Sequence, residues 1–209
     1  MTRQDIKSWA KQKLKGKWYI VLGMILLANL IGGITATYTT ENQGVNIAIS
    51  IGGGILTFFM EIGLIKYMVN FINDKEAKIE LLFEKFKDWK QVILTYLLES
   101  VFVALWTLCL IIPGIIKGLG YSLVSYILAD DSTIEPKDAL KLSEEMMNGH
   151  KTELFALNLS FIGWHLLSIL TLGILEIWVL PYQQTVTTKF LYDIKTNYEK
   201  ANNPSPVTK

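Results

Sequence analysis

The sequence predicts an all-α fold: a polytopic membrane bundle of six transmembrane helices with short interfacial amphipathic helices. Three observations predict it. Hydrophobic residues make up 51% of the 209 positions, and charged residues only 19%, below the roughly 25% of an ordinary soluble domain. Long stretches carry almost no charge. Most Lys and Arg fall in four segments between them, 1–17, 73–91, 130–153 and 191–209, the pattern of bilayer spans joined by wet loops. The net charge of +1 and the lack of a basic, aromatic-interleaved surface give no reason to expect a nucleic-acid partner.

Residues 1–17 hold Arg3, Lys7, Lys11, Lys13, Lys15 and Lys17, while Ile6, Trp9, Ala10 and Leu14 fall near one helical face. This predicts a basic amphipathic helix on the membrane surface, or a flank that only sets orientation. The first span is Trp18 to Ala36, longer than the ~7–15 residues of a signal core, so it is read as a retained helix. A polar loop without Lys or Arg, 38–44, leads to the second span, Val45 to Ile72. Its Gly52-Gly53-Gly54 run permits close approach of a neighbour.

Within 73–91, Ile79, Leu82, Phe83, Phe86 and Trp89 predict a second half-sunk amphipathic helix. The apolar stretch from Val92 to Ala129 is nearly twice one crossing. Proline suits the first turn of a new helix, so the stretch is divided into a hairpin at Pro113-Gly114. Residues 130–153 carry a further amphipathic helix, with Pro136 early and Gly149 as its stop. The stretch from Leu154 to Phe190 turns near Thr171-Leu172-Gly173, giving spans five and six. Domain 18–190 is thus a six-span unit between a basic start and a polar tail, 191–209. Six crossings put all four basic segments on the cytoplasmic side of a bacterial plasma membrane. A four-span alternative puts 130–153 outside.

Several segments resemble a known family. They are Leu14-Lys15-Gly16-Lys17-Trp18, Ile111-Ile112-Pro113-Gly114-Ile115-Ile116-Lys117, and Tyr126-Ile127-Leu128-Ala129-Asp130. Ala139-Leu140-Lys141-Leu142-Ser143, Met146-Met147-Asn148-Gly149-His150-Lys151, Leu159-Ser160-Phe161-Ile162-Gly163-Trp164 and Trp178-Val179-Leu180-Pro181-Tyr182 continue the likeness. Together they look like the integral membrane family of low-GC Gram-positive bacteria catalogued as domain of unknown function nine hundred seventy-five. A weaker likeness is to the membrane region attached to some glycerophosphodiester phosphodiesterases. The resemblance implies a bacterial multi-span protein and supplies no catalytic residues.

Ionisable residues inside spans are costly and are functional candidates by default. They are Glu61 and Lys66 in span two, Glu99 in span three, Lys117 in span four, His165 in span five and Glu176 in span six. Lys189 lies close enough to the interface to snorkel. Glu61 and Glu99 are expected either to line a proton- or cation-coupling cavity or to be neutral groups hydrogen-bonded to neighbouring helices. Lys117 and Glu176 each follow a hairpin turn by three residues, so they either pair or snorkel separately. Gly114 and Gly118 form a small-xxx-small packing face, with Pro113, Gly173 and Pro181 at turns or bends. Trp18, Trp89, Trp178, Tyr67 and Tyr182 are expected in an aromatic belt.

His165, Glu61, Glu99 and Cys109 lack metal-ligand spacing, so neither metal nor other cofactor is expected. Cys109, the lone cysteine, has no internal disulfide partner and reads as a small buried or lipid-facing residue. No nucleophile elbow, phosphate loop or dinucleotide fingerprint is present. The expected function is therefore a non-enzymatic membrane module binding or organising lipids or partner proteins, in envelope homeostasis or peptide defence. Its expected partners are the bilayer, anionic lipids at the cytoplasmic face and a membrane protein. The alternative is a small transporter or export component using Glu61 and Glu99.

Overall fold

The computed structural model describes residues 2–37 and 40–202, with the side chains of 31–37, 109 and 111 outside the description. The regular elements among the described residues are all helical. They are α1 (Arg3–Leu14), α2 (Trp18–Thr37), α3 (Gln43–Ile72), α4 (Trp89–Cys109), α5 (Ile111–Gly120), α6 (Val124–Asp130), α7 (Pro136–Met146), α8 (Lys151–Leu170) and α9 (Glu176–Asn202). Four stretches are long and apolar enough to cross a membrane: Gln43–Ile72, Ile79–Leu108, Ile112–Asp130 and Lys151–Leu170. The described apolar part of α2, Trp18–Leu30, is shorter. Four candidate spans are therefore present among the described residues. Tyr38 and Thr39 of the expected first loop, and the tail end 203–209, lie outside the described residues.

Helix α1 forms as its pattern predicts. Thr2 and Asp5 make a reciprocal capping box, and those bonds to Thr2 hold the Asp5 carboxyl below its usual range. Its apolar face, Ile6, Ala10 and Leu14, is buried, and the helix packs against α9. It is part of the folded body as well as a basic flank.

The segment expected to be an amphipathic helix after α3 is instead two 3-10 turns, Ile79–Leu82 and Glu84–Asp88. Its apolar residues recur mainly at intervals of three, the repeat of a 3-10 helix rather than of an α-helix. Leu82 is fully buried and Phe86 stacks on Phe59 at 4.7 Å, while Ile79, Phe83 and Trp89 stay exposed. Gly63 of α3 makes room for this turn: a Cβ there would lie 2.5 Å from the Leu82 Cα and carbonyl oxygen. Of the glycine run, Gly54 admits the Tyr96 hydroxyl, whereas Gly52 has open space around it.

The first hairpin turns at Leu110, whose extended backbone separates α4 from α5, and not at Pro113-Gly114. Pro113 sits inside the first turn of α5, where its missing N–H costs no helical bond. Gly114 is the contact point, with the Thr107 Cα 2.8 Å from where a Cβ would stand. Gly118 has nothing within 4 Å of that position, so it is not part of a packing face.

The second hairpin turns at Thr171-Leu172-Gly173, as expected. Leu172 and Gly173 have φ of 52° and 85°, and the Gly173 N–H reaches back to the Ser168 carbonyl at 2.9 Å, the bond of a Schellman close. Both turn residues Leu110 and Leu172 are apolar and exposed, the latter 94%, as suits a lipid environment.

Helix α9 runs to Asn202, past the expected end of the last span at Phe190. Its second half is held both by apolar burial of Phe190, Leu191 and Ile194 and by tertiary polar bonds. Lys195 pairs with Asp130 and Glu199, and the Tyr198 hydroxyl donates to Glu145. Burial opposes the Lys195 charge, but the bonds from Asp130 and Glu199 outweigh it and raise its pKa. Pro181 is buried inside the helix, where the Thr185 hydroxyl donates to its carbonyl at 2.7 Å.

The four basic segments meet one another at one end of the molecule. Lys13 of α1 pairs with Asp74 at 2.6 Å. Lys85 donates to Ser132, which donates to Asp88, and Gln91 donates to the Ile134 carbonyl. The Lys195–Asp130 and Tyr198–Glu145 contacts join the last segment to the third. Three of the expected belt aromatics divide differently: Tyr67 is a core residue at 3% exposure, and Tyr182 packs against Trp18 and Phe161. Trp89 and Trp178 remain exposed.

Candidate interior carboxylate site

Glu61 and Glu99 come from facing helices at matched depth. Glu61 lies eleven residues before the end of α3 and Glu99 ten residues after the start of α4. At about 1.5 Å per residue, both stand roughly 15 Å from the end where the basic segments gather. On α3, the strip Gly54, Phe58, Glu61 and Ile65 follows one helical face. Gly54 and Phe58 of that strip both touch Tyr96 of α4, and Tyr96 is one turn from Glu99.

Glu61 is exposed between Met60 and Ile62, which are 2% and 0% exposed. Ser125 of α6 donates to Glu61 Oε1 at 3.4 Å. Beside it, the fully enclosed Tyr126 donates to Thr188 of α9 at 3.4 Å. One oxygen of Glu99, Oε2, is buried without a hydrogen-bond partner among the described residues. Among the described residues neither carboxylate stands in an ion pair with Lys, Arg or His.

Two nearby carboxylates without a basic partner need a compensating positive charge when ionised, because desolvation and mutual repulsion both oppose them. A proton or a small cation is a group that can supply it. Ser125, Tyr126 and Thr188 were not singled out in the sequence, since isolated hydroxyls are ordinary in apolar helices. Only the fold brings them beside the carboxylates.

The other candidates form separate clusters. Lys117 does not pair with Glu176. It bonds Glu144 of α7 at 2.6 Å, with Lys151 3.6 Å from the same oxygen. The Lys117 bond holds the Glu144 carboxyl below its ordinary value. The expected common depth does not hold, because the first turn lies at Leu110, seven residues before Lys117, whereas Glu176 follows Gly173 by three. Glu176 is engaged across its own turn: His165 Nδ1 is 2.9 Å from Glu176 Oε1, and His165 Nε2 is 2.8 Å from Gln183 Oε1. This triad ties α8 to the first two turns of α9.

His165 is thus committed away from the carboxylate pair, and the side chain of Cys109 lies outside the described residues. Lys66 pairs with Glu84 rather than Glu61. Lys189 bonds Asp193 at 2.6 Å and lies over the Trp9 ring.

The sequence profile of one family, described as "Protein of unknown function (DUF975)", matches residues 1–119 and 108–198. No curated protein and no solved structure matches the chain.

Proposed function

The chain belongs to DUF975, a family of unknown function, and since membership hands down no activity, we propose one from the residues themselves: a small multi-pass transport or export component, not an enzyme, in which Glu61 and Glu99 take up and release a proton or a small cation. The reading takes both carboxylates to face one water-accessible space, and what supports it most is their matched depth on facing helices without an ion-pair partner. Ser125 donates to one carboxylate, and one buried oxygen of the other has no hydrogen-bond partner among the described residues. Ionisable groups in a membrane interior are costly unless compensated, and mark ion paths more often than packing.

The topology that goes with this reading is three helical hairpins, six crossings in all, in a bacterial plasma membrane with both termini cytoplasmic. Its support is the meeting of all four basic segments at one end of the fold, together with the apolar turns at Leu110 and Leu172. Here α2 and the first half of α9 complete the six crossings.

Purified protein reconstituted in liposomes, with a pH-sensitive dye inside and an imposed potassium or pH gradient, tests the reading. Wild type is expected to carry protons or alkali cations well above empty liposomes. Glu61→Gln and Glu99→Gln are each expected to cut the flux at least tenfold at equal incorporation. Flux equal to that of empty liposomes, or untouched by both substitutions, overturns it. The joined basic segments favour a second reading, a module that organises lipids or a partner protein without carrying flux. Silence in this assay with lipid or protein retention in pull-downs is the outcome that reading predicts.

A further inference from the structure

The geometry points to a binding site for one anionic glycerophospholipid in the groove where α1 crosses the α8–α9 hairpin. The groove encloses about 350 Å³. Lys7 and Lys11, one turn apart on α1, form its charged end. Trp18, Trp164, Trp178 and Tyr182 form its aromatic walls. Arg3 precedes Lys7 by one turn, so three positive charges follow one strip of the helix.

The charge at this end is uncompensated. Lys7 donates to the Ser160 hydroxyl at 2.7 Å and lies 4.7 Å from the Phe161 ring centre; Lys11 lies 5.6 Å from that of Tyr182. Among the described residues neither lysine touches a carboxylate. Burial, then the like charges of Arg3 and Lys11, lower the Lys7 pKa. An entering anion relieves that repulsion. The aromatic ring faces hold the ammonium groups in place without neutralising them.

The opposite end selects an amphiphile over a free anion. Trp164 and Trp178 are 48% and 53% exposed, and their indoles continue the groove outward along an apolar hairpin. Tryptophan sits well at headgroup level, where one side is wet and the other is hydrocarbon. A phosphodiester headgroup fits against the two lysines, with its acyl chains leaving over the indole faces. Soluble phosphate has no use for those walls, and a zwitterionic lipid brings its own cation to a site that already holds two. The site is independent of the carboxylate pair and of any flux. It requires only that the α1-facing side of the α8–α9 hairpin reach headgroup level.

Native mass spectrometry of the full chain released from mixed phosphatidylglycerol–phosphatidylcholine vesicles tests this. Wild type is expected to retain one phosphatidylglycerol in preference to phosphatidylcholine. Lys7→Gln/Lys11→Gln is expected to weaken that retention roughly tenfold or more, at about 1 kcal/mol per interfacial lysine. Lys87→Gln/Lys90→Gln, which removes the same charge from exposed positions, is expected to leave it unchanged. Trp178→Ala, which spares both lysines and α1, is expected to weaken it several-fold. No preference for the anionic lipid overturns the site, as does equal loss in the Lys87/Lys90 control. Displacement of the lipid by soluble glycerol phosphate also overturns it, because it makes the groove an anion site only.

Discussion

Replacing Ser143 with alanine is expected to destabilise the protein by about 1–3 kcal/mol for each buried group it leaves unpaired, and it leaves two. The helical path from Leu110 to Asp130 is interrupted between α5 and α6 at Tyr121-Ser122-Leu123. At that interruption the Leu123 N–H donates to Ser143 Oγ at 3.1 Å, while the Ser143 hydroxyl donates to the Gly120 carbonyl at 2.8 Å. Ser143 is fully buried, so water cannot stand in for it. One side chain from α7 thus satisfies both ends of the break and fixes α7 against the bundle. Thermal unfolding in detergent measures the cost. Ser122→Ala is the comparison, because its hydroxyl only donates to the Gly118 carbonyl one turn back, at 3.3 Å. If the two substitutions prove equally mild, Ser143 does not hold the break together.

Gly63→Ala is expected to cost about 1–3 kcal/mol or more, the range for forcing extra volume into a packed interior. The atoms it meets are backbone: the Leu82 Cα and carbonyl oxygen at 2.5 Å and the Leu82 carbonyl carbon at 2.7 Å. Backbone cannot rotate aside as a side-chain end can, so α3 and the Ile79–Leu82 turn must separate and Leu82 loses its burial. Gly52→Ala, on the same helix with nothing within 4 Å, is expected to leave stability unchanged. The same unfolding experiment reads both. Equal melting temperatures for Gly63→Ala and wild type contradict the close approach.

How much was legible in the sequence follows from the kind of signal each feature leaves. Apolar length located the candidate membrane helices, and the positions of Lys and Arg located segments that the fold then joins to one another. Pro136, Gly149 and Gly173 marked starts and stops because their backbone preferences act locally. The helix after Glu176 was cut short because charged residues interrupt the apolar run beyond Phe190. Leu191 and Ile194 nevertheless pack into the core, and the distant Asp130 and Glu145 bond the same half. The 3-10 turns escaped because a three-residue interval was taken for a helical face. Glu61 and Glu99 stood out as charges in apolar runs. Their meeting depends on rotation about helix axes, which sequence depth does not encode. Ser125, Tyr126, Thr188 and Ser143 carry no signal of their own, since a hydroxyl in a span is ordinary until its neighbour is known.

The central claim is that Glu61 and Glu99 share a gap that water reaches. Thiol labelling tests it most directly, because a cysteine forms reactive thiolate only where water is present. With Cys109→Ser as background, Glu61→Cys and Glu99→Cys are each exposed in vesicles to a small hydrophilic methanethiosulfonate. Leu105→Cys, at a 55% exposed apolar position on α4, is the lipid-facing control. Labelling at 61 and 99 at least tenfold faster than at 105, with modification of either one blocking the other in the double variant, is the predicted result. Labelling at 61 and 99 as slow as at 105 contradicts it.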